Sequence, residues 1–232
     1  MVLSSTAPTG QALTEDGIQA QPQRALSFTF DDGPDERWTP LVLEQLARCE
    51  VTATFFMVGE RVRAQPELAH TVLDAGHEIQ LHCHRHIRHT EMTEAELLLD
   101  TEMVLDALAA IGVHPRLWRA PWGICTDASI RVAARFGLQL VRWSIDTHDW
   151  RGDRPARMLA HARDRLLDGG AVLMHDALGS GARRSGCENT LELLPGLAAA
   201  ALAHGLALAP MRWQAMSAPA IATSAPVIEV GV

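Results

Sequence analysis

Two short stretches hold the residues best able to do chemistry. In "LSFTFDDGPD", residues 26–35, Asp31 and Asp32 stand side by side where an alternating apolar run stops. Successive side chains of a strand point to opposite faces, but where the backbone turns at a strand's end both carboxylates can reach one pocket. In different surroundings two carboxylates can divide the work, one binding a cation and one handling protons. Taken alone, those ten residues read as an Asp-Gly-Pro turn that ends a strand. The second stretch, "LHCHRHIRHT", offers His82, His84, His86 and His89. Histidines at i and i+4 on a helical turn share a face and can grip one cation, which singles out His82 and His86. A carboxylate from Asp31–Asp32 completes a two-His, one-carboxylate set with open positions for water. One divalent ion suits it, Zn2+ first, with Co2+, Ni2+ or Fe2+ also compatible with these ligand types. His84 and His89 are expected in a solvated loop.

Strand-like runs alternating with helical patterns must position these groups. "ALSFTF" precedes "TPLVLEQLARC", "TATFFMV" precedes "PELAHTVLDAG", and "HEIQLH" precedes "EAELLLDTEMVLDALAAIG". The alternation continues through "PRLWRA", "DASIRVAARFG", "LQLVRWSI", "PARMLAHARDRLLDGG", "AVLMH" and "NTLELLPGLAAAALAHG" to "LALAPM". About seven strand–helix units predict an α/β fold with a parallel sheet or barrel. Gly76, Gly112, Gly137, Gly169 and Gly205 are expected to close helices in the left-handed conformation. "FDD", "LHCHRH", "WRAPW", "IDTHDW" and "LMH" all fall at C-terminal ends of expected strands. In a barrel those ends share one rim, where catalytic residues collect. Ionisable side chains at five strand ends favour a site over a set of turns.

Composition narrows the partners. The 232 residues suffice for one large α/β domain, and 47% hydrophobic residues is ordinary for a globular chain. A formal net charge of −8 argues against nucleic acid or an anionic membrane surface as main partner. No apolar run is long enough for a membrane span. The opening "MVLSSTAPTGQALTEDGIQAQPQR" has no basic residue before Arg24 and no apolar h-region, so a cytoplasmic location is expected if Met1 is the native start. Cys49, Cys83, Cys125 and Cys187 lack paired spacing, as free thiols in a reducing compartment would. The expected organisation is a polar arm over residues 1–23, a domain over 24–216 and a tail over 217–232.

With five motifs in order, the chain resembles the polysaccharide deacetylase family, carbohydrate esterase family 4. They are "TFDDGP" (29–34), His-x-x-x-His (82–86), "RAPWG" (119–123), "DTHDW" (146–150) and "LMH" (173–175). The resemblance implies a distorted (β/α)7, TIM-barrel-like domain that removes the N-acetyl group from an N-acetylglucosamine-type sugar or oligosaccharide, releasing acetate and a free amino sugar. It implies Asp32, His82 and His86 as metal ligands and Asp31 as the general base, steadied by Arg119. It implies His175 as the general acid, oriented by Asp149. The backbone N–H of Trp122 would help to stabilise the oxyanion, and Trp150 and Leu173 would wall a pocket for the acetyl methyl. Asp146 would support its loop. O-acetyl ester hydrolysis, hydrolysis of other C–N bonds and a non-catalytic carbohydrate-binding relative are alternatives within the resemblance.

This chain departs from the family's pattern at Gln80-Leu81, at Cys83 in place of a small hydroxyl, at Arg85 and at Trp122, where Tyr is usual. None of these changes removes a ligand. Cys83 reads as a small buried filler. Trp118, Trp143 and Trp38 read as packing, with Trp38 a candidate border of a sugar site. "GSGARRSG" (179–186) reads as a mobile, solvated loop rather than an anion site. A metal-sequestering protein built on the His-rich tract would bind more than one ion and tolerate Asp32→Ala; an enzyme would hold one ion and lose it.

Overall fold

The structure is a computed structural model that describes residues 25–166 and 170–212. The expected 1–23 arm, the 217–232 tail and the proposed cap Gly169 lie outside the described residues. The elements run β1 (Ala25–Asp31), α1 (Trp38–Arg48), β2 (Thr54–Val58), α2 (Gly59–Ala64), α3 (Pro66–Asp74), β3 (Glu78–Cys83) and α4 (Glu94–Ala109). They continue with β4 (Leu117–Trp118), α5 (Asp127–Phe136), β5 (Gln139–Leu140), β6 (Ile145–Asp146), α6 (Pro155–Arg163), β7 (Gly170–His175), α7 (Glu188–Ala203) and β8 (Ala207–Leu208). Every strand pairing is parallel, in the order β5-β4-β3-β2-β1-β7-β6, and the short β8 pairs with the start of β1. The sheet curls into the distorted (β/α)7 barrel expected from the sequence. Consecutive strands β5 and β6 form the two edges of its seven-strand path.

The period-2 alternation of the strands sorts the two faces. Phe28 and Phe30 of β1, Phe55 and Met57 of β2, Ile79 and Leu81 of β3, and Val172 and Met174 of β7 join the buried cluster with helix residues such as Val42, Leu97, Val104 and Leu197. Phe30 and Phe55 stack across strands with centroids 5.0 Å apart. Residues of the opposite parity, Thr29, Asp31, Phe56, His82, Leu173 and His175, stay outside that cluster and face the inside of the curl. Apolar burial therefore fixes the direction of the polar strand-end residues: a one-residue slip would send Asp31 into the helix layer.

Three expectations change. "LQLVRWSI" is not one strand but two dipeptide strands, β5 and β6, at opposite edges of the sheet. The six-residue α2 was not expected, being too short to show a helical period. His82 and His86 do not share a helical turn: His82 is in β3 and His86 lies in the irregular segment after it. Of the expected caps, Gly76, Gly112, Gly137 and Gly205 take positive φ, between 66° and 82°. α4 begins with a capping box in which Thr93 Oγ1 accepts from Glu96 N and Glu96 accepts from Thr93 N.

Candidate active site

The strand ends converge on a cavity of about 480 Å³ lined by Asp31, Asp32, His82, His86, Trp122, Trp150, Leu173 and His175. The two remaining residues proposed from the sequence, Arg119 and Asp149, stand directly behind Asp31 and His175. The structure thus brings all ten together.

Asp31 is the last residue of β1, and its register partner on β7 is His175. In a parallel pair such partners are neighbours, about 4.8 Å apart across the ladder. Arg119 is fully buried and donates from Nη1 to Asp31 Oδ1 (2.8 Å) and to Thr29 Oγ1 (2.7 Å). Its guanidinium lies over the Phe56 ring, 4.0 Å from the centroid, and its Nη2 lies 3.9 Å from Sδ of Met211, just after β8. One oxygen of Asp31 is therefore fixed by a buried cation.

Asp32 leaves the strand with φ 79°, a left-handed conformation uncommon for a non-glycine residue. That turn brings its carboxylate toward the histidines, with Oδ1 3.1 Å from His86 Nε2 and 3.4 Å from His82 Nε2. The second ring nitrogens are held elsewhere: His82 Nδ1 donates to the Arg119 carbonyl (2.6 Å), and His86 Nδ1 bonds Ser180 Oγ (2.8 Å). Both Nε2 atoms are thus directed inward, as metal-ligating histidines require. The three ligand atoms lie within 4.8 Å of one another, and Asp32 Oδ1 is buried without a hydrogen-bond partner. An acceptor so placed, beside two Nε2 lone pairs, fits one divalent cation. Burial would raise the Asp32 pKa, but His82 and His86 outweigh it and hold the carboxyl well below its usual range. Burial would lower that of His82, yet Asp31 and Asp32 raise it.

The segment carrying His86 is anchored from α4. Asp100, 3% exposed, accepts from His84 N (2.7 Å) on one oxygen and from Arg85 N (3.1 Å) on the other. α2 adds Glu60 N donating to the His84 carbonyl. The sequence reading missed Asp100, although a signal exists: an acidic residue interrupts the buried stripe Leu97, Thr101, Val104, Leu108 of α4. Replacing Asp100 with Ala removes the acceptor of the buried His84 N–H and of the part-buried Arg85 N–H in the ligand loop. Affinity for a divalent cation is expected to weaken about 10- to 100-fold, read by competition with a metal-binding dye. Unaltered affinity would show that the loop holds itself. His84 and His89, expected in solvent, are instead buried at 3% and 2%. His84 packs against Gly59, where a Cβ would come within 2.6 Å of its Nδ1, and His89 Nδ1 bonds Ser129 Oγ at the start of α5.

On the other side, His175 Nδ1 is 2.8 Å from Asp149 Oδ1, which directs Nε2 to the cavity. Asp149 is fully buried; its Oδ2 accepts from His175 N, Arg184 Nη1 (3.0 Å) and Thr190 Oγ1 (2.9 Å). Burial alone would raise the Asp149 pKa, but His175 and Arg184 bring it down to about 2. Burial alone would lower that of His175, but Asp149 raises it to about 9, so the ring is cationic at neutral pH. "GSGARRSG" is therefore no free loop. Arg184 also reaches the carbonyls of His175 and Ala177, Ser180 holds His86, and a Cβ on Gly179 would overlap Asp32 Oδ2.

Trp122, with φ 55° and ψ 10°, packs its ring 4.3 Å from that of His86. Trp143, assigned to packing, lines the cavity instead and faces Arg119. Trp38 and Trp118 are buried, as expected for packing. Asp146 supports its loop by accepting from His148 N (2.7 Å) and Trp150 Nε1 (3.4 Å). Cys83 is buried, and all four cysteines are free. No described helix is long and apolar enough to cross a membrane.

Residues 18–141 match the polysaccharide deacetylase family model. A chitooligosaccharide deacetylase of Bradyrhizobium sp. is 36% identical over 70% of this chain and 75% of its own. A peptidoglycan-N-acetylglucosamine deacetylase of Bacillus cereus is 31% identical over 66% of this chain, which spans just over half (56%) of that longer relative. Among solved structures, a family 4 carbohydrate esterase from Streptomyces lividans in complex with acetate superposes with a TM-score of 0.71 at 29% identity, covering 79% of this chain and 90% of its own. The family match ends before Asp149 and His175, so their place in the site stands on the register and hydrogen bonds above. The motifs, the curled parallel sheet and these relatives agree: the chain belongs to the polysaccharide deacetylase family.

Proposed function

We propose that the protein is a zinc-dependent hydrolase that removes the acetyl group from an N-acetylglucosamine-type sugar. The observation that carries this reading is the pairing of a carboxylate base and a cationic imidazole on adjacent strand ends, Asp31 and His175, beside a largely buried two-His, one-Asp set. The names of the similar deacetylases support the choice of bond and sugar. A pure carbohydrate binder has no use for an acid and a base held this way.

A metal held by Asp32, His82 and His86 would supply Lewis acidity, acidifying a water and polarising the acetamido carbonyl. Asp31, fixed by Arg119, accepts a proton from the attacking water. The backbone N–H of Trp122 donates to the carbonyl oxygen as that atom gains charge. His175, charged and oriented by Asp149, delivers a proton to the nitrogen as the C–N bond breaks. An amine is a poor leaving group unless protonated, so a cationic acid suits an amide. Trp150 and Leu173 wall the space for the methyl group. The products are acetate and the free amino sugar.

The test is acetate release from N-acetylglucosamine oligomers by zinc-loaded and chelated protein. One ion per chain and chelator-sensitive release are expected, with activity restored by zinc. A loaded protein that frees acetate from acetylated xylan but from no N-acetyl sugar would replace this reading by an O-acetyl esterase.

A further inference from the structure

We propose that the cavity selects a glycan in which the unit beside the reacting N-acetyl sugar carries an anionic group, a carboxylate or a phosphate, held by Arg88 and Arg183. The proposal rests on the deacetylase reading and names the substrate class within it. Aromatic walls usually offer bare faces to the apolar side of a neutral sugar. Here two of the cavity's tryptophans carry guanidinium groups instead: Arg88 lies 4.3 Å from the Trp122 ring centroid and Arg183 lies 5.7 Å from that of Trp150. A guanidinium over an aromatic ring keeps its in-plane donors for a ligand and presents them as a fork suited to carboxylate or phosphate.

Both arginines are set on fixed bases. Trp122 is hemmed in by His86 and by Gly181, where a Cβ would come within 2.8 Å of Trp122 Nε1. Arg183 N donates to the Trp150 carbonyl (2.8 Å), tying the root of that side chain to the ring it covers. The two arginines belong to the loops after β3 and β7, strands on either side of β1 and its Asp31–Asp32 pair.

Their charges are not spent internally. Arg184 and Arg151 are neutralised by Asp149 and Asp153, at 3.0 and 2.7 Å. Arg88 has only the exposed Glu91 at 3.7 Å, and Arg183 has no carboxylate within 4.0 Å among the described residues. A second depression of about 490 Å³ opens beside the cavity and shares Arg183 and Arg184 with it, leaving room for a further sugar unit. Glu188 on its lining is paired with Arg37 at 3.7 Å. A chain of formal net charge −8 repels anions at long range, so recognition must come from such local groups.

The experiment compares the neutral N-acetylglucosamine tetrasaccharide with a tetrasaccharide of alternating N-acetylglucosamine and uronic acid, and with an N-acetylglucosamine disaccharide 1-phosphate, whose phosphate sits on the neighbouring unit. Acetate release by the zinc-loaded enzyme is measured at low and high salt. Binding of the same ligands to Asp31→Asn is followed by calorimetry. The charged ligand that fits should be favoured about five- to tenfold at low salt, in kcat/KM and in affinity, with the preference shrinking at high salt. The uronic acid arm and the phosphate arm tell the two sources of charge apart. Arg88→Gln and Arg183→Gln, both at exposed side chains, should each lower the ratio of charged to neutral substrate. Equal use of charged and neutral ligands by the wild type at low salt, or a ratio untouched in both variants, would overturn the proposal. If no ligand releases acetate, the deacetylase reading fails, and the calorimetric ratio alone decides whether the arginines bind an anion.

Discussion

Asp31→Asn is expected to keep its metal and lose about 10²- to 10⁴-fold in kcat, the usual worth of a positioned general base, while Asp32→Asn loses metal and turnover together. The two carboxylates are adjacent in sequence and almost equally buried, at 3% and 4% exposure, so burial cannot explain the difference. Their partners can. Asp31 Oδ1 meets a guanidinium that never deprotonates, whereas Asp32 Oδ1 meets two imidazole Nε2 atoms and has no hydrogen bond. An Asn at position 31 can still accept from Arg119 through its amide oxygen, so the fold around the buried cation is preserved while the proton acceptor is gone. An Asn at position 32 replaces an anionic ligand with a weak neutral one. Metal content by atomic emission, measured beside acetate release, separates the two. Loss of metal in Asp31→Asn, or full retention in Asp32→Asn, would reverse the assignment and leave Asp31 as the ligand.

That two adjacent carboxylates could divide the work was open to sequence reasoning because it depends on local signals; which of them takes which role came from the family resemblance. An alternating run such as "LSFTF" fixes which parity faces the helices, and a polar residue after it must then lie at the strand's open end. The same logic put the stretches holding His82, Arg119 and His175 at strand ends, while the roles of Arg119 and His175 came from the resemblance. What escaped depends on pairing between distant segments. Nothing in "LVRWSI" marks that Leu140 and Ile145 belong to opposite edges of the sheet, because both ends are apolar and the residues between them alternate. Nothing local reveals that Asp31 and His175 share a register, which is what makes base and acid neighbours. Arg184 was hidden by composition: a Gly-rich, doubly basic stretch reads as solvated until Asp149 and Thr190 are seen behind it. The i and i+4 spacing of His82 and His86 pointed to the right pair through the wrong geometry. A strand end followed by an irregular segment brings those residues together as a helical turn would, provided something such as Asp100 holds the segment.

The buried group around Asp149 gives the other large effect. In Asp149→Asn the largest influence raising His175 disappears, while the burial that opposes its protonation remains, set only against the smaller effects of Asp32 and Asp31. The alkaline limb of the kcat profile, expected near pH 9 in the wild type, should move down toward the ordinary histidine value of 6.5. At pH 8 the variant would then hold much less of its acid in the protonated form than the wild type does. The signs for stability follow from the same shifts. The depressed pKa of Asp149 contributes stability that is present above the ordinary value of 3.8 and lost as pH falls toward about 2. The raised pKa of His175 contributes stability that is complete below 6.5 and lost as pH rises through about 9. Arg184, with its side chain only 5% exposed, is left without a counter-charge in the variant. Breaking a buried pair from one side costs about 3–5 kcal/mol. Thr190→Val is the control, since it removes the hydrogen bond to Asp149 and the one accepted from Arg184, each worth about 1 kcal/mol, and keeps the charge. Its limb should stay near pH 9 with a modestly lower melting temperature. An Asp149→Asn enzyme whose limb does not move would mean that the proton reaching the leaving nitrogen comes from a group other than His175.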